Sequence, residues 1–391
     1  MASSIAGMTD DHVHFPSLDE LRCRRSVKWR TYADDVLPVW VAEMDVAPAP
    51  VVAEALAAAV DRGDTGYVHA GDLPEVYAAF SQRRYGWAPV PDRTSLIPDV
   101  MSGIAAVLRL VTSPGDPVVI TPPVYPPFWS FVAHADCVVL EVDLRVEDEG
   151  HALDLEALER AFAGGAAAFL LCNPHNPTGS AWDRATLEAV ADLAGTYDVL
   201  VLADEVHAPL THPGVEHVPF LSLDHPAAQR AVAFVAASKG WNLPGLKAGL
   251  TLAGHDAPAV TTSLPEAVQV GTGLFGVIAA QAAFAHGEPW LTSLLDVLDA
   301  NRRLLGDLLA THVPAVRYQM PAATYLAWLD CREVGLGDDP ARAFLEHGRV
   351  ACSPGHTFGT PGRGFVRFNL GTSPELITEA VRRIATAVEA A

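Results

Sequence analysis

Between about residues 95 and 255 the chain alternates short, continuously apolar runs with amphipathic stretches. DPVVIT (116–121), CVVLEV (137–142), AAAFLL (166–171), DVLVLAD (198–204), AVAFVAA (231–237) and AGLTLA (248–253) read as strands. DRATLEAVADLAGTY, from Asp183, reads as one of the helices between them. Strands apolar on both faces must be covered on both faces, which predicts a mainly parallel sheet sandwiched by helices. Ligands in such folds bind beyond the carboxyl ends of the strands. Lys239, Asp204 and Asn176 each follow a predicted strand. That rim of the sheet is where chemistry is expected.

The chain has 391 residues, more than one core usually organises. Residues 274 to 311 read as helices broken near HGEPW, and the tail from Tyr318 reads as α+β. In SPELITEAVRRIATAVEA, Ser373 is the expected N-cap with Pro374 at the first helical position. Leu376, Ile377, Ala380, Val381 and Ile384 make its apolar face. The expected organisation is an N-terminal segment (1–45) packing with a small C-terminal domain (288–391), around a large domain (46–287).

Basic residues number 26 against 47 acidic, a formal net charge of −21, which disfavours nucleic-acid binding and suits a cytoplasmic protein. Five scattered cysteines, without a CxxC, fit a reduced compartment. The start MASSIAGMTDDHVHF lacks the basic and apolar regions of a signal peptide. No apolar run reaches the ~18–20 residues that span a membrane.

Several motifs carry two readings. LLCNPHNPTGSAW (170–182) is either a plain strand-to-helix loop or a turn presenting the Asn176 amide, through a cis Asn176–Pro177 bond. Asp204, directly after an apolar run, is either a cap or a buried carboxylate in need of a cationic partner. Asp204 with His207 is the weaker metal reading, because no third ligand accompanies the pair. DDHVHF could likewise bind a metal, with a flexible polar start as the plainer reading. GTGLFG (271–276) matches GxGxxG but lacks a βαβ context, so it is rejected as a dinucleotide site.

The constellation says more than its members. A lysine at a buried rim, an aspartate one strand away and an Asn-Pro turn are what pyridoxal phosphate requires. The amine condenses with the cofactor aldehyde, the carboxylate keeps the pyridine nitrogen protonated, and amides at a helix start hold the phosphate.

The residues also resemble the fold-type I enzymes of the class I/II aminotransferase superfamily, and within it the MalY/PatB-type cystathionine β-lyases, or C–S lyases. RRSVKWR (24–30), LPVWVAEMDVAPAP (37–50), TGYVHAGDLPEVYAAFSQRRYGW (65–87), PPVYPPF (122–128), NPHNPTG, ADEVHAPL, ASKGWNLPGLKAG, AAFAHGEPWL (282–291) and VRFNLGTSP (366–374) follow in family order. The resemblance implies a mostly parallel central sheet with helices on both faces, a smaller α+β domain, and a homodimer. It implies Lys239 as the cofactor-linked lysine, Asp204 as partner of the pyridine nitrogen, and Tyr125 as the ring stacked on the cofactor. Asn176 and His207 lie by the phenolic oxygen. Gly103 and Ile104 supply phosphate amides, joined by Ser238, Lys247 and a Tyr67 from the neighbouring subunit. Arg367 clamps the substrate carboxylate beside the Trp40–Val41 backbone.

Three departures stand out. The family's ADMD is AEMD here (Glu43), Gly240 replaces a threonine, and Lys247 stands for an arginine. Gly240 and Glu43 bear on substrate choice, and the missing side chain of Gly240 leaves open whether the pocket is widened. The implied reaction is β-elimination from cystathionine or a related L-cysteine S-conjugate to a thiol, pyruvate and ammonia. An aminotransferase, or a biosynthetic enzyme for an unusual amino acid, uses the same residues. A non-catalytic regulatory protein on this scaffold would be expected to lack the lysine or Arg367.

Overall fold

The structure, a computed structural model, describes residues 12–147 and 150–390. The expectations for the polar N-terminal start, including Asp10 and Asp11 of DDHVHF, fall on residues 1–11, outside the described ones.

A seven-stranded sheet is built from β1 (Thr94–Ile97), β2 (Pro117–Ile120), β3 (Val138–Glu141), β4 (Ala168–Cys172), β5 (Leu200–Asp204), β6 (Val232–Val235) and β7 (Gly249–Ala253). Their order across the sheet is β1-β7-β6-β5-β4-β2-β3. Every pair is parallel except those made by β7, which runs against both of its neighbours. Alternate residues enter two separate cores: Phe169, Leu171, Val201 and Ala203 on one face, Leu170, Cys172, Leu202 and Phe234 on the other. Each large side chain so enclosed contributes about 1.5–3 kcal/mol. Burial on both faces is why the runs are continuously apolar. The expected strands are therefore present, with two differences. β1, half polar in sequence, was not expected as a strand, and β7 has the opposite direction.

A second sheet, β8 (Arg317–Tyr318), β9 (Leu326–Asp330), β10 (Ser353–Pro354) and β11 (Phe365–Asn369), is antiparallel in the order β8-β9-β11-β10. Leu37–Pro38, near the start of the chain, pairs in parallel with Val350–Ala351. The six helices used below are α1 (Val100–Val111), α2 (Arg184–Thr196), α3 (Leu274–His286), α4 (Glu288–His312), α5 (Pro340–Gly348) and α6 (Pro374–Glu389). Asp183 caps α2 by accepting the Thr186 N–H at 2.8 Å. The break near HGEPW is Gly287, between α3 and α4. Ser373 caps α6 as expected, with Pro374 at N1. Ile377, Ala380, Val381 and Ile384 are buried against α4 and α5, and Leu376 partly so.

The glycines of GTGLFG serve close packing. A Cβ at Gly273 or Gly276 would meet the Leu246 carbonyl at 2.5 or 2.3 Å, so the start of α3 can lie directly on the loop that carries Lys247. Among the described residues no helix is long and apolar enough to cross a membrane.

Candidate active site

β4, β5 and β6 end side by side, with Asp204 in register with Cys172 and Phe234. Past β6 the chain makes one helical turn, Ala237–Gly240. Trp241 anchors that turn. It is fully buried against Phe80 and Phe284, and its indole N–H donates to the Gly287 carbonyl at 3.1 Å. A side chain at 287 would come within 2.4 Å of that nitrogen, so glycine is required there. The turn delivers Lys239 to the wall of a cavity of ≈ 270 Å³, lined also by Tyr125, Asn176, Asp204, His207, Ser238 and Lys247.

The electrostatics of the cleft follow from burial. Asp204 is 5 % exposed, and Oδ1 accepts the Val206 N–H at 3.1 Å. Desolvation pushes its pKa up from 3.8 to about 7. Desolvation lowers Lys239 from 10.5 to about 8. Arg367 acts in the same direction, against the pull of Asp204 and Glu43. His207 is buried and held well below its usual range by desolvation, then by Lys239 and Arg367, so its ring is neutral. Its Nδ1 has no partner. Tyr125 is raised, chiefly by burial.

The segment 40–46 forms a strap beside the cleft, tied to Lys239 and held almost carbonyl by carbonyl. Lys239 Nζ (2.9 Å) and the Tyr325 hydroxyl (2.8 Å) both donate to the Ala42 carbonyl. Asn369 Nδ2 donates to the carbonyls of Val41 and Glu43, each at 2.7 Å. Asn242 bonds both the N–H and the carbonyl of Met44 at 2.8 Å. A buried Lys28–Asp45 ion pair (2.8 Å) and the Trp29 indole (2.9 Å) fix its far end. Arg367 is buried under this strap. Nη1 donates to Asn176 Oδ1 (2.9 Å), and Nη2 donates to the Trp40 carbonyl (3.0 Å) and Ser353 Oγ (3.2 Å). Its guanidinium lies 4.9 Å from the Phe358 ring centroid, and Nε has no partner. Burial brings it down from 12.5 to about 10, so it stays charged.

The cleft thus gathers Lys239, Asp204, Asn176, His207, Tyr125, Ser238 and Lys247. Arg367 and the Trp40–Val41 backbone adjoin it, and the Asn176–Pro177 bond is cis. Tyr67 stands apart, 99 % exposed.

Gly103 and Ile104 require correction as phosphate amides. α1 begins at Val100, and the Gly103 N–H already donates to the Asp99 carbonyl at 3.0 Å. Ile104, fully buried one residue further on, falls within the i→i−4 ladder. The uncommitted N–H groups of a helix lie in its first turn. Here they belong to Val100 and Met101, which line the cavity. Asp99 after Pro98 is an N-cap signature that marks this start. The open question at Gly240 is answered by its surroundings. A Cβ there would meet Pro209 at 3.1 Å and Leu291 at 3.9 Å, so its missing side chain allows packing behind the turn and does not widen the cleft. Glu43 accepts the Ser26 hydroxyl at 2.6 Å. Tyr325, Ser353, Asn242 and Asn369 were not singled out from the sequence. Asn242 and Asn369 sat inside quoted motifs, whereas nothing local marks Tyr325 or Ser353.

The fold and cleft define a class of protein, and comparison with known proteins agrees. The family described as "Aminotransferase class I and II" matches residues 32–384, and the chain belongs to it. A protein of Mycobacterium leprae (strain TN) described as "Putative cystathionine beta-lyase" is 46% identical over 403 residues, 97% of this chain and 99% of its own length. Cystathionine beta-lyase PatB of Bacillus subtilis (strain 168) is 33% identical over 96% of this chain and all of its own. Among solved structures, cystalysin from Treponema denticola, which contains a pyridoxal 5′-phosphate cofactor, superposes with a TM-score of 0.91. It is 26% identical over 98% of this chain and 100% of that one. The fold is that of the fold-type I enzymes.

Proposed function

We propose that this chain is a pyridoxal-phosphate-dependent carbon–sulfur β-lyase. It cleaves cystathionine or a related L-cysteine S-conjugate to a thiol, pyruvate and ammonia. The observation that carries the reading is the state of Lys239. Of the chain's three lysines, Lys28 is paired with Asp45 and Lys247 with Asp99. Lys239 instead donates to a carbonyl and titrates near 8, an amine kept available as a nucleophile and base. The relatives described as cystathionine beta-lyases support the choice of reaction within the family.

The cleft fits the cofactor on its own chemistry. Asp204, raised to about 7 by desolvation despite the pull of Lys239, suits a protonated pyridine nitrogen. At the other end Ser238, Lys247 and the first amides of α1 suit a phosphate. Tyr125 would flank the ring, and Asn176 and the bare Nδ1 of His207 would face its phenolic side. When bound, the cofactor supplies an electron sink for the pair left at the substrate Cα.

The chain's own groups do the rest. Arg367, already oriented by Asn176, Trp40 and Ser353, binds the α-carboxylate in a planar fork. Neutral Lys239 accepts the Cα proton. The Cβ–S bond then breaks with its electron pair leaving on sulfur, and the thiolate takes up a proton. The three-carbon fragment leaves as an enamine that water converts to pyruvate and ammonia. Tyr325 and Asn369 fix the 40–46 strap, and with it the Ala42 carbonyl that holds Lys239 and the Trp40 carbonyl that orients Arg367.

A homodimer with shared sites belongs to this reading, supported by the bare Tyr67. So do the large (46–287) and small (288–391) domains, the small one joined by the N-terminal segment, and a cytoplasmic setting, with all five cysteines free. The second reading, an aminotransferase, has the family description in its favour. Turnover separates the two. With L-cystathionine and no keto acid, a lyase releases many equivalents of pyruvate, ammonia and thiol per site. Release of none of these, with about one equivalent per site of cystathionine converted to its own keto acid until an acceptor keto acid is added, would make it an aminotransferase.

A further inference from the structure

Asp99 caps α1 at the mouth of the cleft. Its Oδ1 accepts the Ser102 N–H at 2.8 Å and its Oδ2 accepts from Lys247 Nζ at 3.0 Å. A fixed carboxylate thus sits on two positive features that the cleft offers to an anion, the helix N-terminus and this lysine. Lys247 stands on a fixed backbone beside Asp99. Its backbone is left-handed (φ 57°), its carbonyl accepts the Gly273 N–H at 2.7 Å, and α3 packs directly on Leu246.

On the reading that the cleft takes pyridoxal phosphate, we propose that Asp99 is an internal counter-anion that sets cofactor affinity. It half-neutralises Lys247 and the start of α1 and repels the arriving phosphate, so the cofactor is held more loosely than the cleft otherwise permits. The lysine is not lost to the phosphate, because an ammonium has three donors and can serve both anions. What Asp99 adds is negative charge beside a group carrying close to two of its own. The pair is partly open to water, with side chains 56% and 35% exposed, so the repulsion is moderate and sensitive to salt.

The test uses enzyme stripped of cofactor and titrated with pyridoxal phosphate or with pyridoxal, which has the same ring and aldehyde but no phosphate. Asp99→Asn removes the charge and keeps a capping oxygen. Its dissociation constant for pyridoxal phosphate is expected to fall about tenfold at low salt. The gain should shrink as salt is added, and pyridoxal binding should not change. Asp99→Ser, another uncharged cap, should reproduce the result, and thermal unfolding of each stripped protein reports whether it is folded. An unchanged or weaker affinity for pyridoxal phosphate in both variants overturns the proposal, as does equal tightening toward both ligands. If the wild type binds neither ligand, the reading of the cleft itself fails, and this inference with it.

Discussion

Lys239→Ala purifies without the visible absorbance of bound cofactor and loses C–S cleavage by at least about 10⁴-fold. The size follows from two roles on one amine. Lys239 is the group on which the cofactor is held, and it is the base closest to the reacting carbon in this reading. Neither remaining lysine can substitute. Lys28 is fully buried in its pair with Asp45, and Lys247 is tied to Asp99 at the far end of the cleft. The fold should survive, because the turn is anchored by Trp241 and the lysine's own bond is to a single carbonyl. Absorbance and pyruvate release, read beside an unchanged unfolding curve, check all three parts. A coloured or active alanine variant would remove Lys239 from the mechanism.

The second large effect belongs to Asp204, where activity and stability should move in opposite directions. Asp204→Asn keeps the shape and loses the charge that would hold a protonated ring nitrogen in a water-poor site, a loss on the order of 10³-fold in rate. In the cofactor-free protein the same change should stabilise. The folded-state pKa of Asp204 is raised from 3.8 to about 7, so between these values the folded chain binds more protons than the unfolded one. Its stability therefore falls as pH rises from about 4 to about 7. Asparagine does not titrate, so the variant escapes that fall. Lys239 titrates the other way, from 10.5 down to about 8, and is largely neutral above that. The comparison therefore belongs at about pH 4 and about pH 8.5. Stripped Asp204→Asn should melt within about a degree of wild type at the lower pH and a few degrees above it at the higher. Equal melting at both would mean that the carboxylate finds a partner without the cofactor.

Much of this was legible because the chemistry lies close to strand ends. Continuous apolar runs marked β2 to β7, and the polar residues just past β4, β5 and β6 marked the rim. The direction of β7 was not legible, since an apolar run carries no polarity along the chain. β1 escaped because half of it is polar and partly exposed. The phosphate amides were misplaced by three residues. The resemblance pointed to Gly103 and Ile104, whereas the Asp99 cap shows that the first free N–H groups come earlier. Arg367 was named from a resemblance. What orients it, Asn176 at 191 residues' separation and Trp40 at 327, exists only once the two sheets are brought together. Tyr325, Ser353 and the carbonyls of the 40–46 strap are of the same kind. Whether Gly240 leaves space for substrate was open in the sequence, because the direction of its absent Cβ, toward Pro209 and Leu291, is a property of the folded turn.

The central claim is that one amine of this chain carries the cofactor. Borohydride reduction of the purified enzyme, followed by proteolysis and mass spectrometry, reads this directly, because reduction makes the link permanent and only three lysines are available. The account predicts a pyridoxyl group on the peptide containing Lys239, close to one per chain, with Lys28 and Lys247 unmodified. A label on Lys247 or Lys28, or none on an enzyme that still cleaves cystathionine, would contradict it.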